Sequence, residues 1–274
     1  MALILTEFNE NIGTITFNNY EKRNSLSKDF INEIIEALDD FINKKARAVI
    51  LRAPKGVKVW SAGHDVKELS GPGRDPLSYN DPLEQLLRAV ERFPAPIISM
   101  IEGGVWGGAC ELAFTSDIII AAHSSTFAIT PARLGVPYNS AGILHFLNIL
   151  PINIVKEMFF TAQPIDAERA LQIGILNHLV SAEELESFTF NLAKKIAANS
   201  ALSISVIKEQ LRLLSKATPL NPETFERIQG LRRLVYDSND YKEGIKAFME
   251  KRTPVYKDGI SRDDISFVVR HFSL

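Results

Sequence analysis

Four glycines in two adjacent pairs, Gly103, Gly104, Gly107 and Gly108, stand in the stretch EGGVWGGACEL between an apolar strand-like run and an apolar helix-like run. Each weakens both elements, because glycine loses more backbone freedom on ordering than any other residue. Close backbone packing at a tight turn is one explanation. Position supplies another. Unpaired amides at a helix start favour negative charge, and a residue without Cβ lets a ligand approach the backbone. A second loop, SAGHD at Ser61–Asp65, has the same form: a strand, small residues, then a helix start. Together the two loops offer two amides for one oxygen, which is what a carbonyl needs when it gains negative charge in a reaction. A dinucleotide-binding turn is the rival, and it fails. The glycine order does not make G-x-G-x-x-G, and STFAI lies where the ribose-binding acid is expected.

The reactive side chains nearby each have a plainer reading. Glu111 falls on a helix among apolar residues, so its burial requires a partner. Tyr138 beside Pro137 reads as a turn residue, the His64 side chain as a local hydrogen-bonding group, His178 as structural and Cys110 as a small buried hydrophobe. No His, Asp or Glu cluster has the spacing of metal ligands, so no metal is expected.

Hydrophobic periodicity predicts the elements that must position these groups. Leu3–Phe8 and Ile12–Phe17 alternate around NENIG and predict a hairpin. Leu26, Phe30, Ile31, Ile34, Ile35, Leu38, Phe41 and Ile42 fall at helical spacing, with Ser27 as the cap and Asp29 in the first turn. Arg47–Ala53 predicts a buried strand, SAGHDVKEL runs from loop into a short helix, and Leu83–Phe93 predicts another helix. PIISMI is then a strand, the glycine stretch a turn, ACELAFTS a helix and DIIIAA a strand. This recurrence predicts α/β architecture. After Ser181 the pattern is helix upon helix. Ser181 and Glu184 form a capping box before Leu185, and Asn221 with Pro222 opens a later helix. We place a soft boundary near Val180, giving a core at 1–180, a helical region at 181–253 and a tail at 254–274.

Composition narrows the function classes. The 274 residues are 46% hydrophobic and 23% charged, an ordinary globular profile with a large core. A net charge of -2 argues against a nucleic-acid surface, which needs an excess of Lys and Arg, and any polyanionic ligand must meet local cations. One cysteine excludes an internal disulfide, and a reducing compartment, the cytoplasm, is expected. The start MALILTEFNENIGTITF has no basic segment before its short apolar run, so no signal peptide is expected. No apolar run reaches the roughly 20 residues of a spanning helix, so no membrane partner is expected.

SAGHDVKEL and GGVWGGACELAFTSDIIIAA resemble the paired signatures of the crotonase (enoyl-CoA hydratase/isomerase) superfamily, and GILNHLV is similar to that family's pattern as well. The likeness runs from Ile12 to Lys251. It implies a crotonase-like core of spiralling ββα units, a C-terminal helical region that builds homotrimers or homohexamers, and an acyl-CoA substrate. It implies that the amides of His64 and Gly108 are the oxyanion donors and that Ala62, Gly63, His64, Asp65 and Val66 line the thioester and CoA. Lys251, Lys22 and Arg23 would meet the nucleotide end, Lys251 reaching the CoA phosphates from its own or a neighbouring subunit.

Hydratases of the family hold water between two glutamates, of which the first corresponds to Glu111. The second position, four before Gly135, holds Pro131, which cannot act as acid or base. Decarboxylation needs no base, whereas hydration needs positioned proton-transfer groups. TPARLGVPYN and ERIQGLRRLVYDSNDYKEGI resemble the decarboxylating members. The activity so implied is loss of CO2 from methylmalonyl-CoA, or a close malonyl-CoA analogue, through a thioester enolate. Thr130 and Tyr138 would face the acyl carboxylate, Trp106 would supply an apolar wall, and His64 or water would return the proton. The alternative is hydration or isomerisation of an enoyl-CoA with Glu111 as its carboxylate. A non-catalytic RNA-associated member is a third reading, which the acidic balance disfavours. No cofactor is expected beyond the CoA of the substrate.

Overall fold

Two nearly unbroken apolar runs, AVILR and IISMI, form neighbouring strands of a six-stranded sheet and are buried almost throughout. Such runs suit parallel strands with helices on both faces. The computed structural model describes residues 2–69, 79–215, 226, 229–230, 232–233 and 235–256. Its strands are β1 (Ile4–Asn9), β2 (Ile12–Phe17), β3 (Ala48–Arg52), β4 (Val59–Ser61), β5 (Ile97–Ile101), β6 (Gly104–Trp106), β7 (Ile118–Ala122), β8 (Thr126–Ala128), β9 (Ile165–Asp166) and β10 (His178–Val180). The large sheet has the order β1-β2-β3-β5-β7-β10 and is parallel apart from the β1–β2 hairpin; the small sheet has the order β4-β6-β8-β9.

The chain steps between the sheets. β3, β5 and β7 lie in the large one, and each is followed by a strand, β4, β6 or β8, in the small one. Helices come next: α2 (Pro82–Arg92) after β4, α3 (Gly108–Thr115) after β6, and a 3₁₀ turn (Pro131–Leu134) with α4 (Ser140–Ile149) after β8. This is a winding ββα repeat. α1 (Lys28–Asn43) starts at Ser27, whose hydroxyl accepts from the Phe30 amide, and α2 starts at Asp81 with Pro82 in its first position.

Alternation along the central strands divides the core. Val49, Leu51, Ile97 and Ile101 pack with α1 and α2, while Ala48, Ile50, Ile98 and Met100 pack with Leu185 and Ala193 of α7 (Leu185–Ala197). α7 thus shares the sheet's core, although it begins just past Val180. Ahead of it the Glu184 amide donates to Ser181 Oγ, one half of the expected capping box, while the Ser181 hydroxyl, in place of its amide, donates to the Glu184 carboxylate. Further helices are α5 (Ile152–Thr161), α6 (Ala167–Gln172), α8 (Ala201–Ser215) and α9 (Asn239–Met249).

Two local expectations change. The stretch after Asp65 is a single 3₁₀ turn, Val66–Glu68, in place of a short helix. The glycine stretch contains a strand, β6, because the chain must cross to the small sheet there. Gly103 has φ +85, and a Cβ on it would stand 2.6 Å from the Lys58 carbonyl carbon, so close packing explains that position. The predicted helix opening at Asn221 and Pro222 begins outside the described residues, as does the tail from 257 onward.

Candidate active site

β4, β6 and β8 are parallel neighbours, so the loops leaving their carboxyl ends emerge side by side. Ligands of α/β sheets bind at such ends. The first loop carries His64, the second Gly107 and Gly108, the third Thr130 and Pro131.

The His64 loop is zipped to the segment before α1. Ala62 donates to the Arg23 carbonyl, Leu26 to the Gly63 carbonyl and Asp65 to the Leu26 carbonyl, while Ser61 Oγ donates to the Asn24 carbonyl at 2.7 Å. The Gly63 amide donates to Ser61 Oγ at 3.2 Å, so the amides on either side of His64 are both used while its own donates to neither segment. Gly63 has φ +84, and a Cβ there would overlap the Trp106 carbonyl oxygen and sit 2.9 Å from the Gly108 nitrogen. Only glycine lets the two loops come this close. A Cβ built on Gly108 would lie 3.5 Å from the His64 nitrogen. Among the described residues neither the His64 nor the Gly108 amide donates a hydrogen bond within the protein. Gly108 is also the first residue of α3, whose dipole favours negative charge at that end.

These amides face a cavity of about 560 Å³ lined by Lys22, Arg23, Ala62, His64, Asp65, Val66, Gly108, Glu111, Thr130 and Tyr138. Almost every residue that the sequence singled out therefore meets in one space. Gly63 supports the wall through its backbone. Lys251 is exposed in the turn after α9 and stands outside the lining, where Phe248 takes its place. Pro131 lies in the wall, along with Trp106 and Val136.

Glu111 is 3% exposed and accepts a hydrogen bond of 2.6 Å from the Tyr138 hydroxyl. Burial pushes its pKa up to about 8, with the Tyr138 bond pulling the other way. Burial thus favours the protonated form of this carboxyl. Tyr138, expected to direct its hydroxyl at a substrate carboxylate, directs it at Glu111. The reason is that a buried carboxyl needs a partner, and α3 and the residues before α4 bring the two within reach. Burial and the adjacent Glu111 hold the Tyr138 pKa well above the usual phenol range.

His64 places Nδ1 3.1 Å from the Asp65 carbonyl and Nε2 3.6 Å from Asp81 Oδ1. Burial lowers its pKa, but Asp81, the Asp65 carbonyl and Glu68 together act against it and the net shift is upward. Asn139 caps α4 by accepting from the Gly142 amide, and its Nδ2 donates to Glu84 of α2.

Sequence reasoning did not select Asp81, Glu84, Lys67, Arg133 or Phe248. The first two had a signal, since DPLE reads as a helix start with an acid three positions on; the others became visible only through the loops that bring them to the cavity. Among the described residues no group of His, Cys, Asp or Glu could hold a metal ion, and no helix is long and apolar enough to cross a membrane.

Comparison with known proteins places this geometry. The family model described as enoyl-CoA hydratase/isomerase matches residues 7–259. Methylmalonyl-CoA decarboxylase of Escherichia coli (strain K12) is 56% identical over 243 residues, 89% of this chain and 93% of that protein. Carnitinyl-CoA dehydratase of Citrobacter koseri is 31% identical over 238 residues, 86% of this chain and 91% of its own. Among solved structures, methylmalonyl-CoA decarboxylase complexed with 2S-carboxypropyl-CoA superposes with a TM-score of 0.92 at 52% identity, covering 94% of this chain and 99% of that one.

Proposed function

Because the chain belongs to the enoyl-CoA hydratase/isomerase family, we propose that it removes CO2 from methylmalonyl-CoA and leaves propionyl-CoA. The observation that carries this reading is the convergence of the free His64 and Gly108 amides beside a wall that holds Pro131. The amides stabilise a thioester oxyanion, and the loop after β8 holds Pro131 where the family's hydratases carry the second glutamate that manages a water.

The bond from the α-carbon to the carboxylate carbon breaks, and its electron pair passes into the thioester enolate. The two amides hold the enolate oxygen. A proton adds to the α-carbon from His64, whose imidazole lines the cavity, or from water. Protonated Glu111 donates to the Tyr138 oxygen when substrate is bound, which frees the phenolic proton for the departing carboxylate. Thr130 sits on the same side, since its Oγ1 is 3.1 Å from a Cβ built on Gly107. Trp106 and Val136 give the neutral product an apolar wall.

Lys22, Arg23, Lys67 and Arg133 supply the local cations for the CoA phosphates, and Lys251 serves a neighbouring subunit. The assembly is a homotrimer or homohexamer. Support comes from α8, where Ile207, Leu211 and Leu214 fall four and three residues apart on one face and are 53%, 64% and 73% exposed, an apolar face of the kind that marks an interface. The chemistry uses no cofactor beyond the CoA of the substrate, and the single buried thiol of Cys110 suits the cytoplasm.

Purified protein is incubated separately with methylmalonyl-CoA and crotonyl-CoA, and products are read by mass. The expected result is propionyl-CoA from the first and no hydration of the second. Hydration of crotonyl-CoA without CO2 from methylmalonyl-CoA would replace this reading with hydration through Glu111.

A further inference from the structure

Glu84 plays no part in the chemistry above, yet it is 8% exposed, and an unpaired buried carboxylate is costly. It stands three residues after the cap Asp81, where a glutamate ordinarily folds back onto the cap residue's own amide. Here it reaches outward. Its Oε1 accepts from Nδ2 of Asn139, 55 positions further along the chain. Arg88, one turn on, stands 3.9 Å from the other oxygen. Burial pushes the Glu84 pKa up, and Asn139 and Arg88 act against it.

Asn139 is fully committed by this contact. Its Oδ1 caps α4 at the Gly142 amide while its Nδ2 serves Glu84, so turning the amide over would break both bonds. Tyr138 is the preceding residue, and its ring lies so close to Gly142 that a Cβ there would overlap it. Asp81, at the head of the same helix, stands 3.6 Å from His64 Nε2. The start of α2 thus touches both the loop that carries one oxyanion amide and the turn that carries the tyrosine.

We propose that Glu84 is a positioning residue: through Asn139 it sets where the Tyr138 hydroxyl stands relative to the His64 and Gly108 amides. The inference rests on the decarboxylase reading. Helices α2 and α4 come from different ββα units, and the Glu84–Asn139 bond ties the first to the residue that caps the second.

Glu84→Ala, Glu84→Gln, Asn139→Asp and the double variant Glu84→Gln/Asn139→Asp are assayed for CO2 release from methylmalonyl-CoA, with thermal unfolding followed in parallel. A small displacement of a group that orients substrate costs up to about 10²-fold in rate. Glu84→Ala is expected to lose about 10- to 100-fold in kcat with KM within about threefold, because binding does not use this bond. Glu84→Gln keeps an accepting oxygen and is expected to retain most activity. Asn139→Asp keeps the cap but sets two carboxylates together, so it is expected to fail, and adding Glu84→Gln restores a donor and recovers activity. Wild-type kcat in folded Glu84→Ala, or no recovery in the folded double variant, would overturn the inference. If Glu84→Ala does not fold, the Asn139→Asp pair decides. A wild-type protein that releases no CO2 would overturn the decarboxylase reading and this inference with it, an outcome distinct from an active wild type with an indifferent Glu84.

Discussion

The Tyr138 hydroxyl oxygen lies 2.6 Å from Oε2 of Glu111, which stands on α3 one turn beyond Gly108. Both side chains line the cavity, so one short bond joins the helix that begins at Gly108 to the turn ahead of α4. Replacing Tyr138 with Phe keeps the ring and its edge-on contacts with Phe146 and Phe159 but removes the donor. The expected result is a kcat for CO2 release lower by about 10- to 100-fold, with KM for the CoA ester nearly unchanged. An unaltered kcat would remove the hydroxyl from the reaction.

Glu111 also makes stability depend on pH. The unfolded chain releases this proton near pH 4.5, while the folded chain keeps it until about pH 8. The folded state therefore binds the extra proton between those values, and stability falls as pH rises through the window. The contribution is complete below pH 4.5 and gone above about pH 8. Its slope inside the window reaches roughly 1.4 kcal/mol per pH unit. Glu111→Gln stays neutral and can still accept from Tyr138. Its Tm, followed by circular dichroism from pH 5 to 8, should decline less than that of the wild type; parallel curves would show that Glu111 is already ionised when folded.

Gly108→Ala places a methyl group 2.7 Å from Leu83 Cδ2, the end of a flexible side chain, and 3.5 Å from the His64 nitrogen. The fold accommodates the first contact by a rotation of Leu83. The second fills the space that the substrate oxygen needs. kcat should drop by about 10²–10³-fold, with an unchanged circular dichroism spectrum. Activity within a factor of about two of wild type would place the oxyanion elsewhere.

The α8 surface gives an independent prediction. Leu211→Glu combined with Leu214→Glu puts charge on the exposed apolar face. Sedimentation should move from a trimeric or hexameric mass toward the monomer. A wild-type chain that sediments as a monomer at micromolar concentration would contradict the proposed assembly.

Much of this was legible in the residues alone. The β1–β2 hairpin, α1 with its Ser27 cap and the central strands follow from periodicity, because each buries one recognisable face. The small sheet was not legible: β4, β6 and β8 are three residues long, too short to show a period. The glycine pairs drew attention together, yet the structure separates them, Gly103 for packing against Lys58 and Gly108 for the site. Glu84 reads in sequence as the acid of a capping box, and only the winding of the repeat reveals its partner in Asn139. Tyr138 was legible as a donor but not its recipient, because Glu111 lies 27 positions away on another unit.

Neighbouring strands in a sheet stand about 4.8 Å apart whatever their side chains. Since β4 and β6 are such neighbours, the spacing of the bends that carry His64 and Gly108 is set first by the scaffold, and the bare backbone of Gly63 closes the remainder. The third strand's loop is free of that duty. Changes in residues 130–142 can therefore reshape that side of the cavity while β4 and β6 keep their spacing.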